Sequence, residues 1–215
     1  MTVSFSSGSQ MHREEDTAMW LHHQGEQTFR DVGITKNQVV LDFGCGAGFH
    51  TIPTARIVGA GGTILAVDKN SSSLNELKKR LLRHGLVNVH IVETSGGLGL
   101  PLKDNSIDVV LLYDVIHSYY FTANTRRELL KEIHRISKPL GLVSLFPSHM
   151  NVAQACKLME MARFHLARTF RASVLHNRKL TGGDILNFHP VKDQDNYHAM
   201  PVYESRLHNQ EKGRR

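Results

Sequence analysis

The segment between Val39 and Thr51 limits more strongly than any other what this chain can fold into. A short apolar run, Val39 to Leu41, ends at Asp42 and is followed by three glycines at alternate positions, Gly44, Gly46 and Gly48. This order is typical of a strand that turns tightly into a helix, because glycine tolerates positive φ and lets a ligand approach the main chain. A helix start also offers unpaired N–H groups and the positive end of a dipole. The segment therefore predicts a nucleotide-like ligand at this turn.

Two features of the turn argue against a dinucleotide. The dinucleotide fingerprint, G-x-G-x-x-G, needs its third glycine at position 49, which is Phe49 here. Asp42 would repel a pyrophosphate and attract a cationic group. A second acid, Asp68, follows the predicted strand Thr63 to Val67 and can accept hydrogen bonds from both ribose hydroxyls. The predicted ligand is a nucleoside with a cationic tail and no pyrophosphate.

At these residues the chain resembles the class I S-adenosylmethionine-dependent methyltransferases of the small-molecule type. Their first motif is similar to Leu41 to Gly48, their second ends in an acid similar to Asp68, and the resemblance runs from about Gln38 to Phe146. It implies S-adenosylmethionine as the cofactor and methyl transfer by in-line displacement as the reaction. The residues expected to bind the cofactor are Asp42, Gly44, Cys45, Gly46, Ala47, Gly48, Asp68, Lys69, Ser95 and Tyr113.

Alternating strands and helices after the turn predict a doubly wound, Rossmann-like α/β fold. Further strands are predicted at 88–92, 107–113 and 142–146, in a seven-stranded and mostly parallel sheet. Two last strands, 168–175 and 184–188, are predicted as a C-terminal antiparallel hairpin with its turn at 181–183. The resembled fold likewise carries a hairpin at its sheet edge.

Three regions are predicted along the chain. Residues 1–33 form a helical cap with a disordered start and a break at Gly25, residues 34–190 form the methyltransferase domain, and residues 191–215 form a flexible basic tail. Within the cap, the resemblance allows Trp20, His22 and His23 to face the cofactor. The favoured alternative is that Trp20 packs in the core while both histidines face solvent.

The net charge of +6 is concentrated in a segment with five cations and no acid among them, Arg163, Arg168, Arg171, Arg178 and Lys179. Such a surplus favours either an acidic partner or, as we prefer, a solvated face. No RNA-binding motif that combines aromatic and basic residues is present, so nucleic acid is not the expected partner. A small-molecule acceptor is predicted by elimination, and the sequence does not specify an oligomeric state.

Cysteine usage and hydropathy indicate a cytoplasmic protein. The two cysteines, Cys45 and Cys156, are too few for a disulfide framework and lack metal-ligand spacing, so no metal site is predicted. No apolar run reaches the length of a membrane span, and the first residues lack the core of a signal peptide.

Catalytic candidates are predicted in the loop after the fourth strand. Methyl transfer mainly requires alignment, and a base is needed only when the acceptor is a hydroxyl or a protonated amine. Tyr113, Asp114 and His117 are the candidates, and only His117 has an ordinary pKa near neutrality. The alternative is that His117 is one surface histidine among 14. His50, beside the glycine turn, is predicted either to neighbour the cofactor or to cap a helix.

Two other functions stay open on the sequence alone. Asp68 also lies at a suitable distance for the ribose of NAD, so the chain could be an NAD-dependent oxidoreductase. It could also be a non-catalytic, S-adenosylmethionine-binding partner subunit. Tyr113 to Ile116 does not resemble the Asp/Asn-Pro-Pro-aromatic motif of methyltransferases that act on exocyclic or amide nitrogen.

Overall fold

The computed structural model describes residues 15–96, 99–176 and 179–192. Within these ranges, seven strands form one sheet: β1 (Val39–Phe43), β2 (Thr63–Asp68), β3 (Val89–Glu93), β4 (Ile107–Tyr113), β5 (Ser137–Phe146), β6 (Phe164–His176) and β7 (Lys179–Pro190). Their order is β3-β2-β1-β4-β5-β7-β6. The first five strands run parallel, whereas β7 is antiparallel to both β5 and β6. The predicted mostly parallel α/β sheet with a C-terminal antiparallel hairpin is confirmed.

Helices cover both faces of this sheet. A π-helical turn (Trp20–Gln24) leads into helices α1 (Gly25–Val32), α2 (Thr51–Val58), α3 (Ser71–His84), α4 (Ala123–Ile136) and α5 (Val152–Met161). Alternate residues of the parallel strands serve two cores, so that Val40 packs with α1, α2 and α3 while its neighbour Leu41 packs with α4 and α5. Burial on both faces explains the nearly continuous apolar runs of these strands.

The strand order defines where a ligand can bind. Connections leave β1 toward β2 and β3 on one side, and the chain later returns to place β4 and β5 on the other side of β1. In open parallel sheets, the crevice at such a reversal lies outside the carboxyl ends of the strands. The glycine turn after β1, the acid at the end of β2 and the loop after β4 therefore meet at one edge.

The C-terminal hairpin differs from the predicted one. Residues 181–183 were expected to form its turn, but they lie within β7, where Gly183 pairs with Ala172. The chain instead reverses between His176 and Lys179, which pair with each other. Glycine is needed within the strand because a Cβ at Gly183 would lie 2.7 Å from the ring of Phe146. The predicted turn was wrong because glycine serves close packing here and not chain reversal.

The helical segment before β1 joins the main core. Gly25 does not break the helix as predicted, because it starts α1 directly after the π-helical turn, and a Cβ there would lie 3.0 Å from Pro53 of α2. Trp20 is fully buried, and its indole N–H donates a 2.9 Å hydrogen bond to the carbonyl of Phe49. The structure thus places Trp20 in the core, whereas His22 and His23 are exposed.

The predicted division into cap, domain and tail remains a prediction. The start of the cap, residues 1–14, and the tail after Lys192 lie outside the described residues. In the part of the chain that is described, no helix combines the length and the apolarity that a bilayer crossing requires.

Candidate functional site

The glycine turn lies over the carboxyl end of β1 and is hydrogen-bonded to β2. The amides of Gly44 and Cys45 both donate to the carbonyl of Val67, at 2.8 and 3.1 Å. Gly44 has a φ of +78°, and a Cβ there would lie 2.5 Å from Val115. Gly46 has a φ of +52° with open space where a side chain would stand. The turn therefore exposes bare backbone to the space above β1.

Asp68 binds the turn through its side chain. One carboxylate oxygen accepts the amide N–H of Gly46 at 2.8 Å, and the other accepts the amide N–H of Asn70 at 2.9 Å. Each carboxylate oxygen can accept more than one hydrogen bond, so both retain capacity for a ligand. The acid is thereby fixed beside the glycine backbone at the carboxyl end of β2.

A cavity of about 610 Å³ opens at this edge of the sheet. This volume lies within the range of about 300–1,000 Å³ that is usual for small-molecule sites. Among the residues predicted to bind the cofactor, those that line the cavity are Gly44, Cys45, Gly46, Ala47, Asp68, Lys69 and Tyr113. The structure thus brings together residues from the ends of β1, β2 and β4.

Three residues predicted to bind the cofactor lie outside the cavity wall. Asp42 is 1% exposed beneath the turn, where it accepts a 2.6 Å hydrogen bond from the Thr51 hydroxyl. Gly48 is buried against Leu77, since a Cβ there would lie 2.3 Å from that side chain. Ser95 is exposed, while its neighbours Thr94 and Gly96 line the cavity instead. None of these three residues lines the cavity, so their direct contact with a ligand remains a prediction.

Burial makes Asp42 a weaker acid than an exposed aspartate. The pKa of Asp42 is raised from 3.8 to about 6, mainly because burial removes water from the carboxylate; the hydrogen bond from the Thr51 hydroxyl lowers the pKa, and the nearby charge of Asp68 adds to the rise. Between these two pKa values the folded state holds a proton that the unfolded state has released. The contribution of Asp42 to stability therefore becomes less favourable as the pH rises through about 6.

Asp42→Asn is expected to increase the free energy of unfolding at pH 7 by about 1–3 kcal/mol, because the amide avoids the cost of burying a charge. Its oxygen can still accept the Thr51 hydroxyl. The gain should shrink at pH 5, where the wild-type carboxyl is already largely protonated. Urea unfolding of both proteins at the two pH values measures this difference. If the two proteins differ in free energy of unfolding by the same amount at pH 5 and pH 7, the raised pKa of Asp42 is contradicted.

His50 places a polar atom without a protein partner at the cavity. Its ring nitrogen Nε2 is buried and has no hydrogen-bond partner among the described residues, and His50 lines the cavity. Burial lowers its pKa to about 4, so the imidazole is neutral at physiological pH. The residue makes no side-chain hydrogen bond as the N-cap of α2. Of the two predicted roles, the geometry favours the neighbour of a ligand over the helix cap.

The environment of Tyr113 and Cys45 disfavours proton transfer by either residue. Burial raises the pKa of the Tyr113 phenol well above its usual value, and its hydroxyl is already 3.0 Å from the Ser144 hydroxyl. Tyr113 was a catalytic candidate, but a phenol held neutral cannot act as a base near pH 7. Burial also raises the pKa of the Cys45 thiol, which agrees with the expectation that it is not a nucleophile.

Asp114 lies at the centre of a group of histidines that we name the Asp114 cluster: Asp114, His117, His149 and His176. Its carboxylate is 3.8 Å from His117 Nε2, 3.3 Å from His149 Nε2 and 2.9 Å from His176 Nδ1. His117 is buried, and burial lowers its pKa while the Asp114 charge opposes that effect. Asp114 and His176 line the large cavity, whereas His117 and His149 line a small pocket that Asp114 shares.

Sequence reasoning missed half of this cluster. His149 follows β5 and His176 ends β6, both far in sequence from the glycine turn. For His149 a signal was available, because the carboxyl end of β5 must reach the same sheet edge as those of β1 and β4. For His176 there was none, since its position depends on the register of the C-terminal hairpin.

Comparison with known proteins finds that part of the chain is similar to methyltransferases. Residues 40–141 match a family model described as a methyltransferase domain. The chain is 27% identical over 136 residues to the ubiquinone/menaquinone biosynthesis C-methyltransferase of Pectobacterium atrosepticum, covering 62% of this chain and 52% of the relative. It is 30% identical over 120 residues to the demethylmenaquinone methyltransferase of Staphylococcus aureus, covering 55% and 46%. The chain thus spans about half the length of these relatives.

A solved structure shows the same fold. The S-adenosylmethionine-dependent methyltransferase from Aquifex aeolicus superimposes with a TM-score of 0.63 at 20% identity, covering 83% of this chain and 97% of that one. At this identity the likeness concerns the fold alone. Together with the domain match over residues 40–141, it confirms the resemblance to class I methyltransferases that the motifs predicted.

Proposed function

We propose that this chain, which carries a methyltransferase domain over residues 40–141, binds S-adenosylmethionine in the large cavity and transfers its methyl group to a small-molecule acceptor. The observation that carries the proposal is the position of Asp68 beside the exposed backbone of Gly46, at the point where the strand order reverses. A ribose on Asp68 would bring the rest of a nucleoside into contact with the glycine turn.

The cavity wall fits the parts of this cofactor. Asp68 offers carboxylate oxygens to the ribose hydroxyls, and the open space at Gly46 admits the methionine portion against the backbone. The neutral imidazole of His50 forms another part of the same wall. Thr94 and Gly96, after β3, take the place next to adenine that was predicted for Ser95. When bound, S-adenosylmethionine supplies an electrophilic methyl group on a positively charged sulfur.

Electrostatics favour this cofactor over NAD. Asp42 lies beneath the turn and Asp68 beside it, so the site concentrates negative charge where a dinucleotide would place its pyrophosphate. Position 49, where the NAD fingerprint needs glycine, holds a phenylalanine that lines the cavity. These two observations speak against the oxidoreductase alternative.

A small aromatic acceptor fits the remaining wall. Phe49, Tyr113, Tyr120 and Phe121 line the cavity, so a planar ring can be held between aromatic faces. The names of the relatives describe methyl transfer in quinone biosynthesis, in one case to carbon, and we propose a hydroxylated, quinol-like ring that is methylated on a ring carbon beside the hydroxyl as the acceptor class. Tyr120 is half exposed, which leaves an entrance for the acceptor from solvent.

We also propose that the protein is located in the cytoplasm and that nucleic acid is not its partner.

The protein's own contribution to the reaction would be alignment and control of a proton. A hydroxyl acceptor must lose its proton before or during methyl transfer, and proximity to the sulfonium supplies most of the remaining rate. Asp114 and His176 stand on the cavity wall, with His117 behind them. We propose that His176 receives the proton, with Asp114 orienting its imidazole.

A transfer assay tests the proposal. Purified protein is incubated with methyl-labelled S-adenosylmethionine and a set of reduced naphthoquinones and simpler hydroxylated aromatics, and label in the organic extract is measured. We expect label in at least one ring acceptor and one equivalent of S-adenosylhomocysteine per methyl group. Tight cofactor binding without transfer to these acceptors or to cell extract would favour the non-catalytic alternative.

A further inference from the structure

The Asp114 cluster has the composition and spacing of a metal site. The cluster offers one carboxylate and the imidazoles of His117 and His149, whose ligand atoms all lie within 4.8 Å of one another. Zinc bonds of about 2.0–2.2 Å in a tetrahedron place neighbouring ligand atoms about 3.4 Å apart. The separations from Asp114 Oδ1 are 3.3 Å to His149 Nε2 and 3.8 Å to His117 Nε2. Only small side-chain movements separate this arrangement from a coordination sphere.

The backbone holds Asp114 in a conformation that few residues adopt. Its φ is +58°, in the left-handed region, and its amide donates to the carbonyl of Phe146 at 3.1 Å. For a residue other than glycine such strain is uncommon and is concentrated at functional sites. The Ser148 hydroxyl donates to the same carboxylate. These contacts aim the Asp114 side chain at the histidines of two other segments.

The space between the ligands suits one small ion. Asp114, His117 and His149 line a pocket of about 10 Å³, close to the room that one water molecule needs. Asp114 and His176 also line the large cavity. A metal in this pocket would therefore lie at the wall of the proposed acceptor site.

We propose that Asp114, His117 and His149 bind a divalent transition metal of the zinc type and leave a fourth position open toward the cavity. Three protein ligands with one open position are the pattern of catalytic zinc sites. His176 Nδ1, at 2.9 Å from Asp114 Oδ2, would orient the carboxylate from behind the metal. Binding through His117 Nε2 moves its ring proton to Nδ1, so the 3.2 Å bond from the Tyr119 amide to Nδ1 would be given up.

The role of the metal rests on the proposed function. A hydroxyl of the acceptor that occupies the fourth position would be acidified, as metal-bound water is. Its proton would pass to His176, and the ring carbon beside the oxyanion, once methylated, would release its hydrogen as a proton to solvent and restore the aromatic ring. Methylation forms the bond between this ring carbon and the methyl carbon while the sulfur–carbon bond breaks. The electrons of that bond remain on sulfur, which yields neutral S-adenosylhomocysteine. The sequence predicted no metal because the ligands come from two segments without local spacing.

Zinc binding without cofactor or acceptor tests the site independently of the reaction. Protein treated with a chelator is titrated with Zn²⁺ alone by calorimetry, and bound metal is counted by elemental analysis after gel filtration. We expect one Zn²⁺ per chain for the wild type and a loss of at least about 10-fold in affinity for His149→Ala. His149 is half exposed, so its removal should leave the fold intact.

The control is His90→Ala, an exposed histidine on β3 that should bind zinc as the wild type does. Comparison with the wild type and with this control is needed because three other histidines that could bind zinc, His12, His198 and His208, lie outside the described residues. Co²⁺ bound in the same site should show the visible absorption of tetrahedral coordination, and His117→Ala should abolish it. Equal zinc affinity in the wild type and His149→Ala, or no stoichiometric binding, would overturn the proposal. The zinc titration contains no cofactor or acceptor, so its result does not depend on whether the methyl transfer assay succeeds.

Discussion

Gly48→Ala is expected to lower the free energy of unfolding by about 2–4 kcal/mol, through backbone strain and overpacking together. Gly48 has a φ of +83°, and a Cβ there would lie 2.3 Å from Leu77 Cδ1. Leu77 is fully buried in α3, so neither side can move without disturbing the core beneath the turn. Chemical unfolding followed by circular dichroism measures the loss.

Gly85→Ala is the matched control for this substitution. Gly85 follows α3 in the left-handed region, with φ +62° and ψ +28°, but a Cβ there would meet no atom within 4 Å. It should therefore carry the strain alone, about 1–2 kcal/mol. If both variants lose the same stability, crowding between Gly48 and Leu77 is not what requires glycine at the turn.

Asp68→Ala is expected to weaken binding of S-adenosylmethionine about 10- to 100-fold, the loss of about 1–3 kcal/mol that follows removal of a charged hydrogen-bond partner. The substitution removes the proposed ribose contact and also the acceptor of the Gly46 amide. The cofactor affinity of Asp68→Asn should lie between those of the wild type and Asp68→Ala, because the amide oxygen can still accept a hydrogen bond from Gly46 although the charge is gone. Calorimetric titration with the cofactor measures all three proteins.

The control for Asp68→Ala is Asp104→Ala, which removes an exposed acid that pairs with Arg135 and does not line the cavity. It should bind the cofactor as the wild type does. Unfolding curves for each variant separate a loss of binding from a loss of structure. Unchanged affinity in a folded Asp68→Ala protein would remove the ribose assignment.

The fold could be predicted from sequence because its strands carry clear signals. The apolar run before Asp42 and the alternation of strands with helices specify a doubly wound sheet, and the acid at the end of β2 locates one side of the cavity. The predictions were wrong for residues whose role is packing. Gly183 admits the Phe146 ring within a strand, and glycine pairs in the sequence have the same letters whether they turn or pack.

The direction of Asp42 could not be predicted for a related reason. Both faces of β1 are buried, so the alternation of polar and apolar residues that would assign a side chain to one face is missing. Asp42 points beneath the turn to Thr51. Within the Asp114 cluster, His149 was overlooked although it follows β5, which pairs with β4, whereas His176 reaches the cluster only through the register of the β6–β7 hairpin. Local patterns do not contain that information.

The central claim is that the large cavity binds S-adenosylmethionine, and the most direct measurement is calorimetric titration of the purified chain with S-adenosylmethionine, S-adenosylhomocysteine and NAD in turn. We predict that the first two bind at one molecule per chain and that NAD does not bind, because the charges of Asp42 and Asp68 and the side chain of Phe49 oppose a pyrophosphate. Binding of NAD in place of S-adenosylmethionine, or binding of none of the three, would contradict the account.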